Sequence, residues 1–529
     1  MVATDAAREA TGITRTEIVA ALSLASDIAM GQPLESGLDI CRIALTLSDE
    51  AGLDDAERVR VFHVALLRHV GCTAENAAFA SIIGDEIAFR HGGTTIDMSA
   101  PRAMGAYMLR HLVRTNGLLG TAAKLVEMAG ARDRLQSGVL AVCEVAELLA
   151  AQLGLGDDIQ RDLYLFNERW DGKSFLKRVK GEDVPVADRV VQIAECASVY
   201  RALGGPEAAV SVVRERAGSA FDPRLSDVLA RKADTVLARV DDSLWDVVLA
   251  AAPADDGPLE GEALDAALEA VAEFVDLKSS FTVGHSSGVA RLAAEAGRHA
   301  GLPDAEVATL RAASLVHDLG RVGVSSTIWE KPGPLNADEW ERVRLHPYHG
   351  ERALARSRGL ARLAAIASRH HERCDGTGYH RGLDARSLSQ TARLLAAADV
   401  FHAMTEPRPH RAALEPARAA EGLRDEARAG RLDGDAVACV LVAAGEAPRR
   451  RREHVAGLTA RELEVLRLLA RGLSTREIAS HLVVTPKTAD SHIQHIYAKA
   501  GVSTRAAATV FAMRHDLLDT AQSSGELPM

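Results

Sequence analysis

The stretch Leu315-Val316-His317-Asp318-Leu319-Gly320-Arg321 decides how the chain is read. It is an apolar helical run that ends in an adjacent His and Asp, followed by a glycine turn and a cation. Burying such a pair at the end of an apolar helix is costly unless a metal ion compensates the charge and dipoles. More residues of the same chemistry lie on either side. Ten of the nineteen histidines fall between His285 and His410, so the chemistry is concentrated in one region. Among them are His285, His346 and the doublet His370-His371, and Asp399 lies in the apolar run Leu394-Leu395-Ala396-Ala397-Ala398-Asp399-Val400.

Any one of these histidines alone reads as a satisfied core residue. As a set they read differently, because each is carried by a separate helical segment. His285 opens the one at 286–300, His317 and Asp318 close the next, His346 follows an acidic helix, His370-His371 close 363–369, and Asp399 lies inside a last one. A helical bundle can bring such positions to one point, and imidazole and carboxylate donors suit Fe, Mn or Zn.

The same residues resemble an HD-GYP domain of the HD phosphohydrolase superfamily. The resemblance runs through Phe281-Thr282-Val283-Gly284-His285-Ser286, the His317-Asp318 turn, Lys331-Pro332-Gly333-Pro334-Leu335 and His346-Pro347. It continues in His370-His371-Glu372-Arg373-Cys374-Asp375-Gly376-Thr377-Gly378-Tyr379-His380, Ala398-Asp399-Val400-Phe401 and Arg408-Pro409-His410-Arg411, and covers about a third of the chain. It implies metal ligands His285, His317, Asp318, His346, His370, His371 and Asp399, with Asp318 as the bridge. Family members with a third metal carry a carboxylate four residues before the first His; Phe281 stands there, so two divalent transition-metal ions are expected, Fe or Mn first and Zn as the alternative. The implied reaction is hydrolysis of cyclic di-GMP or a related nucleotide phosphodiester, with Asp318 and Arg321 catalytic and Gly376, Tyr379, Arg408 and Arg411 at the substrate.

This chain departs from the family pattern at several positions. Arg321 replaces a lysine; it keeps the charge but cannot donate a proton. His380 replaces a proline, which frees one φ angle, and His410 replaces a phenol.

At 529 residues the chain has room for three or four domains, and 47% hydrophobic with 26% charged residues is ordinary for a globular protein. A net charge of −11 confines any nucleic-acid contact to a local patch. The six cysteines show no C-x-x-C spacing, the N-terminus has no apolar leader and no run of about 18 apolar residues exists, so a reduced, cytoplasmic protein with no membrane partner is expected.

The first half repeats the second. Ala51-Gly52-Leu53 onward to Gly71 aligns without a gap to Ala300-Gly301-Leu302 onward to Gly320. Asn167-Glu168-Arg169-Trp170-Asp171-Gly172 aligns to His371-Glu372-Arg373-Cys374-Asp375-Gly376, and Glu195 to Asp399. The ligands are mostly replaced: Ser36 for His285, Arg68 and His69 for His317 and Asp318, Phe166 and Asn167 for the doublet. An arginine inside the site would repel a cation. A scaffold and a metal-free sensor both remain open for this half. Its extra length between the matched segments, at 85–130, has no sequence reading. Linkers are read at 251–258 and at 443–456, the latter with Arg449-Arg450-Arg451-Arg452.

From Gly457 a different unit begins. Thr459 with Glu462 forms a capping box before an amphipathic stripe, Ser474 caps a short helix, and Thr485-Pro486 opens a third. This wording resembles the C-terminal domain of LuxR-type (NarL-type) regulators. The resemblance implies that 485–497 is a recognition helix for double-stranded DNA, with Thr485, Lys487, Thr488, Ser491 and His492 facing DNA and Arg476, His495 and Lys499 near phosphates. Asp490 stands where the family usually has a lysine, and a carboxylate there repels the backbone.

The expected architecture is all-α: a degenerate HD-like domain at 14–250, an HD-GYP-like domain at 259–445 and a LuxR-type helix-turn-helix domain at 457–520. The expected function is a DNA-binding regulator, a homodimer, carrying a metal-dependent phosphodiesterase. The alternative is a regulator whose HD-GYP-like domain only senses a nucleotide or mediates dimerisation.

Overall fold

The computed structural model describes residues 12–96, 101–129, 132–254, 257–446, 457–515 and 517–518. Among these residues every regular element is a helix, and β pairing is limited to isolated bridges. Among the described residues no helix is long and apolar enough to cross a membrane. The chain divides into two compact units, Met1–Lys278 with Val316–Trp329 and Ala337–Ser368, and Ser279–Leu315 with Glu330–Asn336 and Arg369–Met529.

The first unit is built on helix Arg15–Ala29. Thr14 and Glu17 close its N-terminus in a reciprocal capping box, which satisfies two donors that the first turn would otherwise leave open. Most of its residues are buried, so it serves as a core element. Around it pack Ser36–Ala51, Asp55–Leu67, His346–Leu354 and the 3-10 turn Leu319–Gly323.

The internal repeat shows in the backbone. Glu35 and Gly284, one residue before the matched helices, both take a left-handed conformation at φ 76° and 79°. A close approach makes the match sharper. A Cβ on Gly320 would lie 1.9 Å from the carbonyl oxygen of His346 and 2.4 Å from the nitrogen of Gly350. A Cβ on Gly71 would lie 1.9 Å from the carbonyl oxygen of Val142 and 3.1 Å from the nitrogen of Ala146. Only glycine lets these turns reach the next helix. The pairing also identifies Val142 as the counterpart of His346, which the sequence left unassigned.

The extra length of the first copy lies between these anchors, in helices Asn76–Ile83, Glu86–Gly93 and Pro101–Ala129. Glu86 is fully buried and accepts from Lys278 Nζ at 2.6 Å, Ser325 Oγ at 2.7 Å and the Ser326 amide at 2.9 Å. Glu86 therefore joins the inserted segment to the residues that follow Arg321.

In the second unit, His285–His299 packs against Asp304–Leu315, Gln390–Thr405 and Gly434–Glu446. The last of these corrects the expected linker: 443–446 are helical, because the apolar run from Val440 to Ala444 carries the helix on past Gly445, ahead of Pro448. The four arginines Arg449 to Arg452 lie outside the described residues.

The C-terminal part has helices Ala460–Ala470, Thr475–His481, Pro486–Ala500 and Arg505–Arg514. The first two begin in reciprocal capping boxes, and Thr485 accepts from the Thr488 amide. The fourth helix was absent from the sequence reading. It closes a core of Val465, Leu466, Leu469, Ile478, Ala489, Ile493, Ile496 and Ala508.

Candidate metal centre and DNA-facing helix

The expected metal ligands fall in both units, and each group has its own geometry. In the first unit His317, Asp318 and His346 are buried, and both imidazoles bring Nε2 to the Asp318 carboxylate. His317 Nε2 lies 3.2 Å from Oδ2, and His346 Nε2 lies 3.4 Å from Oδ1. His346 Nδ1 is 2.7 Å from the Val343 carbonyl, so Nδ1 carries the proton and Nε2 keeps its lone pair for a cation. Burial holds this imidazole below its ordinary pKa. Arg321 Nη1 lies 3.0 Å from Asp318, and its guanidinium lies over the Trp329 ring at 4.7 Å. Burial by itself would raise the Asp318 pKa, but Arg321 and His317 outweigh it and hold the carboxyl well below the usual range.

In the second unit His285, His370, His371 and Asp399 come from three segments. His285 Nε2 lies 3.2 Å from Asp399 Oδ1, and His371 Nδ1 lies 3.8 Å from Asp399 Oδ2. The rings of His370 and His371 are 4.1 Å apart, and Tyr379 lies 4.8 Å from His371. Burial opposes charge on His285, but Glu406 and Asp399 outweigh it and raise the imidazole to about 10. Metal binding at Nε2 would release that proton. Buried imidazole and carboxylate donors with their far nitrogens fixed fit a divalent transition-metal ion.

The expected phosphate-binding arginines are engaged by the fold. Arg408 donates to Glu406 Oε2 at 3.0 Å and to the Phe281 carbonyl at 3.1 Å. Arg411 donates to the carbonyls of Ala403, Met404, Glu406 and Ala412. Gly376 sits in a turn at φ 77°, beside the Asp375–Thr377 hydrogen bonds.

At the counterpart position in the first copy a guanidinium stands among the carboxylates. Arg68 Nε donates to Glu195 at 3.1 Å, and His69 lies 3.3 Å from the same oxygen. Burial and the Arg68 charge push His69 down to about 3. Asp27, which accepts from the Gly37 amide at 3.0 Å, is pushed up to about 7 by burial against the pull of Arg68. Asn167 donates to Cys143 Sγ at 3.6 Å.

Along Pro486–Ala500 the exposed positions include Lys487, Thr488, Asp490, Ser491 and His495, with His492 half-buried; Arg476 is also exposed. Lys499 differs from the rest. Its ammonium lies 2.7 Å from Glu462 and 3.1 Å from the Gly457 carbonyl, so it braces the helix against the start of the domain.

Residues 269–436 match the family model of the HD domain, and residues 456–512 match that of the bacterial regulatory proteins of the luxR family. The chain carries an HD domain and a luxR-family domain. The HD match includes all seven expected ligands. The chain is 28% identical over 409 residues to the 3'3'-cGAMP-specific phosphodiesterase 3 of Vibrio cholerae, covering 75% of this chain and 88% of that protein. A cyclic di-GMP phosphodiesterase of Pseudomonas aeruginosa is 39% identical over 145 residues, 27% of this chain and 35% of that one. The crystal structure of a V. cholerae cyclic GMP-AMP-specific phosphodiesterase, V-cGAP3, superposes with a TM-score of 0.57 at 25% identity, covering 83% of this chain and 99% of that one.

Sequence reasoning missed Glu406 and Lys278. Both are single charged residues with no motif spacing, and only their burial against His285 and Glu86 marks them.

Proposed function

We propose that this protein is a metal-dependent phosphodiesterase of cyclic dinucleotides whose C-terminal domain binds double-stranded DNA as a transcription regulator. The observation that carries the reading is the His and Asp donor set, in which His346 and His285 are already oriented by Val343 and Glu406. In this reading His285, His317, Asp318, His346, His370, His371 and Asp399 would hold two divalent ions. Bound there, the ions would supply Lewis acidity toward water and toward a phosphodiester oxygen. The chain's own residues do the rest. Arg321 would offer its guanidinium to the phosphoryl oxygens. Tyr379, stacked on His371, offers an aromatic face to a base. The names of the relatives point to cyclic GMP-AMP and cyclic di-GMP as the substrates to compare.

Sensing without turnover is the second reading. It is favoured by the Arg321–Asp318 ion pair and by the carbonyls that occupy Arg411, since each removes a cation from the substrate's reach.

In the DNA-binding part Lys487, Thr488, Ser491 and His492 would meet base edges or phosphates, with Thr485, Arg476 and His495 beside them. LuxR-type units acting in pairs would give two half-sites about one helical turn apart, on a homodimer. Asp490 is exposed on this face and should repel any duplex, so Asp490→Lys should tighten binding most at low salt. The full chain should convert 3'3'-cGAMP or cyclic di-GMP to a linear dinucleotide and retard duplex DNA. Binding of DNA and nucleotide without hydrolysis would favour the second reading. No DNA binding, with or without Asp490→Lys, would remove the regulator from the account.

A further inference from the structure

Glu406 plays no part in the pattern by which the metal site was read, yet its carboxylate lies against the first histidine of that site. It directly follows helix Gln390–Thr405, is 5% exposed, and accepts from His285 Nδ1 at 2.8 Å through Oε2. The carboxylate is braced from two other sides. Arg408 Nη2 donates to Oε2 at 3.0 Å, and His402 Nδ1 lies 3.2 Å from Oε1.

His402 reaches that position because residue 288 is glycine. A Cβ there would lie 2.0 Å from His402 Nε2 and 2.4 Å from its Cε1. Helix His285–His299 therefore presents a bare stretch of backbone one turn after His285, and the imidazole fills it. Arg408 is tied in turn to the Phe281 carbonyl, in the segment that leads into His285. A buried carboxylate that accepts from His285 and Arg408, with the His402 ring against its other oxygen, is a fixed acceptor.

An imidazole that donates Nδ1–H to a fixed carboxylate keeps one tautomer and one ring orientation, with the lone pair on Nε2. The Nε2 of His285 faces Asp399 at 3.2 Å. We infer that Glu406 is a positioning residue that sets the tautomer and orientation of His285 for metal binding, with His402 across Gly288 as its brace. The inference rests on the proposed metal centre.

The test measures metal affinity of the full chain by chelator competition, together with the visible spectrum of the Co(II)-loaded protein. Glu406→Ala is expected to weaken affinity by about 10–100-fold, to keep the same number of ions at saturation, and to shift the Co(II) bands. Glu406→Gln, which keeps an acceptor oxygen, is expected to lose less. Gly288→Ala, which must displace His402, is expected to weaken affinity while leaving Glu406 in place. Unchanged affinity and an unchanged Co(II) spectrum in Glu406→Ala overturn the inference while the metal centre stands. If Glu406→Ala does not fold, unchanged affinity in both Glu406→Gln and Gly288→Ala overturns it. Loss of one full ion that no excess of metal restores also overturns it, by making Glu406 a ligand. A wild-type chain that takes up no metal fails the proposed metal centre itself.

Discussion

Arg321 and Arg68 show how one guanidinium can serve opposite ends. Arg321 lies 3.0 Å from Asp318, packed over Trp329, and its charge is held at the edge of the donor set. Arg321→Ala should lower kcat by about 100–1,000-fold, the equivalent of about 2.7–4 kcal/mol, while metal content stays at the wild-type level. Equal rates in the two proteins would exclude the guanidinium from the reaction. Arg68 instead occupies the counterpart of His317, where a cation beside Glu195 takes up the charge that a metal would. Its neighbour Asp27 gives a pH test. With a folded pKa of about 7 against an ordinary 3.8, the folded chain binds more protons than the unfolded chain between these values. Stability therefore falls as pH rises through that window and levels off above about 7. Between pH 5 and pH 8 this group should cost on the order of 2–3 kcal/mol, and Asp27→Asn should remove that part of the slope in chemical denaturation. An unaltered slope would show that Asp27 is ionised throughout.

At the scale of elements, the legible and the illegible parts of the fold differ in a physical way. Helix starts were readable because Thr459, Ser474 and Thr485 cap through local bonds that sequence spacing encodes. The ligand pattern was readable because metal chemistry restricts residue types. The Glu86–Lys278 pair was not, since its members are 192 positions apart and neither belongs to a motif. Nor was the match of Val142 to His346, which depends on how closely the Gly71 and Gly320 turns approach their helices. The fourth helix, Arg505–Arg514, did carry a signal, a Thr504 cap before an alanine-rich run, and was overlooked. Burial makes the Glu86–Lys278 pair testable. Removing one partner leaves a charge uncompensated, so Glu86→Ala should destabilise the chain by about 3–5 kcal/mol in denaturant titration. Replacing both by apolar residues of similar volume should cost much less. A Glu86→Ala loss under about 1 kcal/mol would show that water reaches Lys278.

For the whole molecule, two proposed chemistries share one chain: a largely buried donor set for divalent ions and a luxR-family domain for DNA. The likeness to the V. cholerae phosphodiesterases runs through most of the chain, and the luxR-family match adds a C-terminal module at 456–512. With a net charge of −11 on the chain, the proposed DNA binding by this module should weaken steeply with salt. The catalytic reading stands or falls with the metal. The direct measurement is elemental analysis of the full chain purified without oxygen. About two transition-metal ions per chain are expected, and almost none in the His317→Ala, Asp318→Ala double variant. A folded wild-type chain that carries no metal and takes up none from Mn(II), Fe(II) or Zn(II) would contradict the catalytic reading.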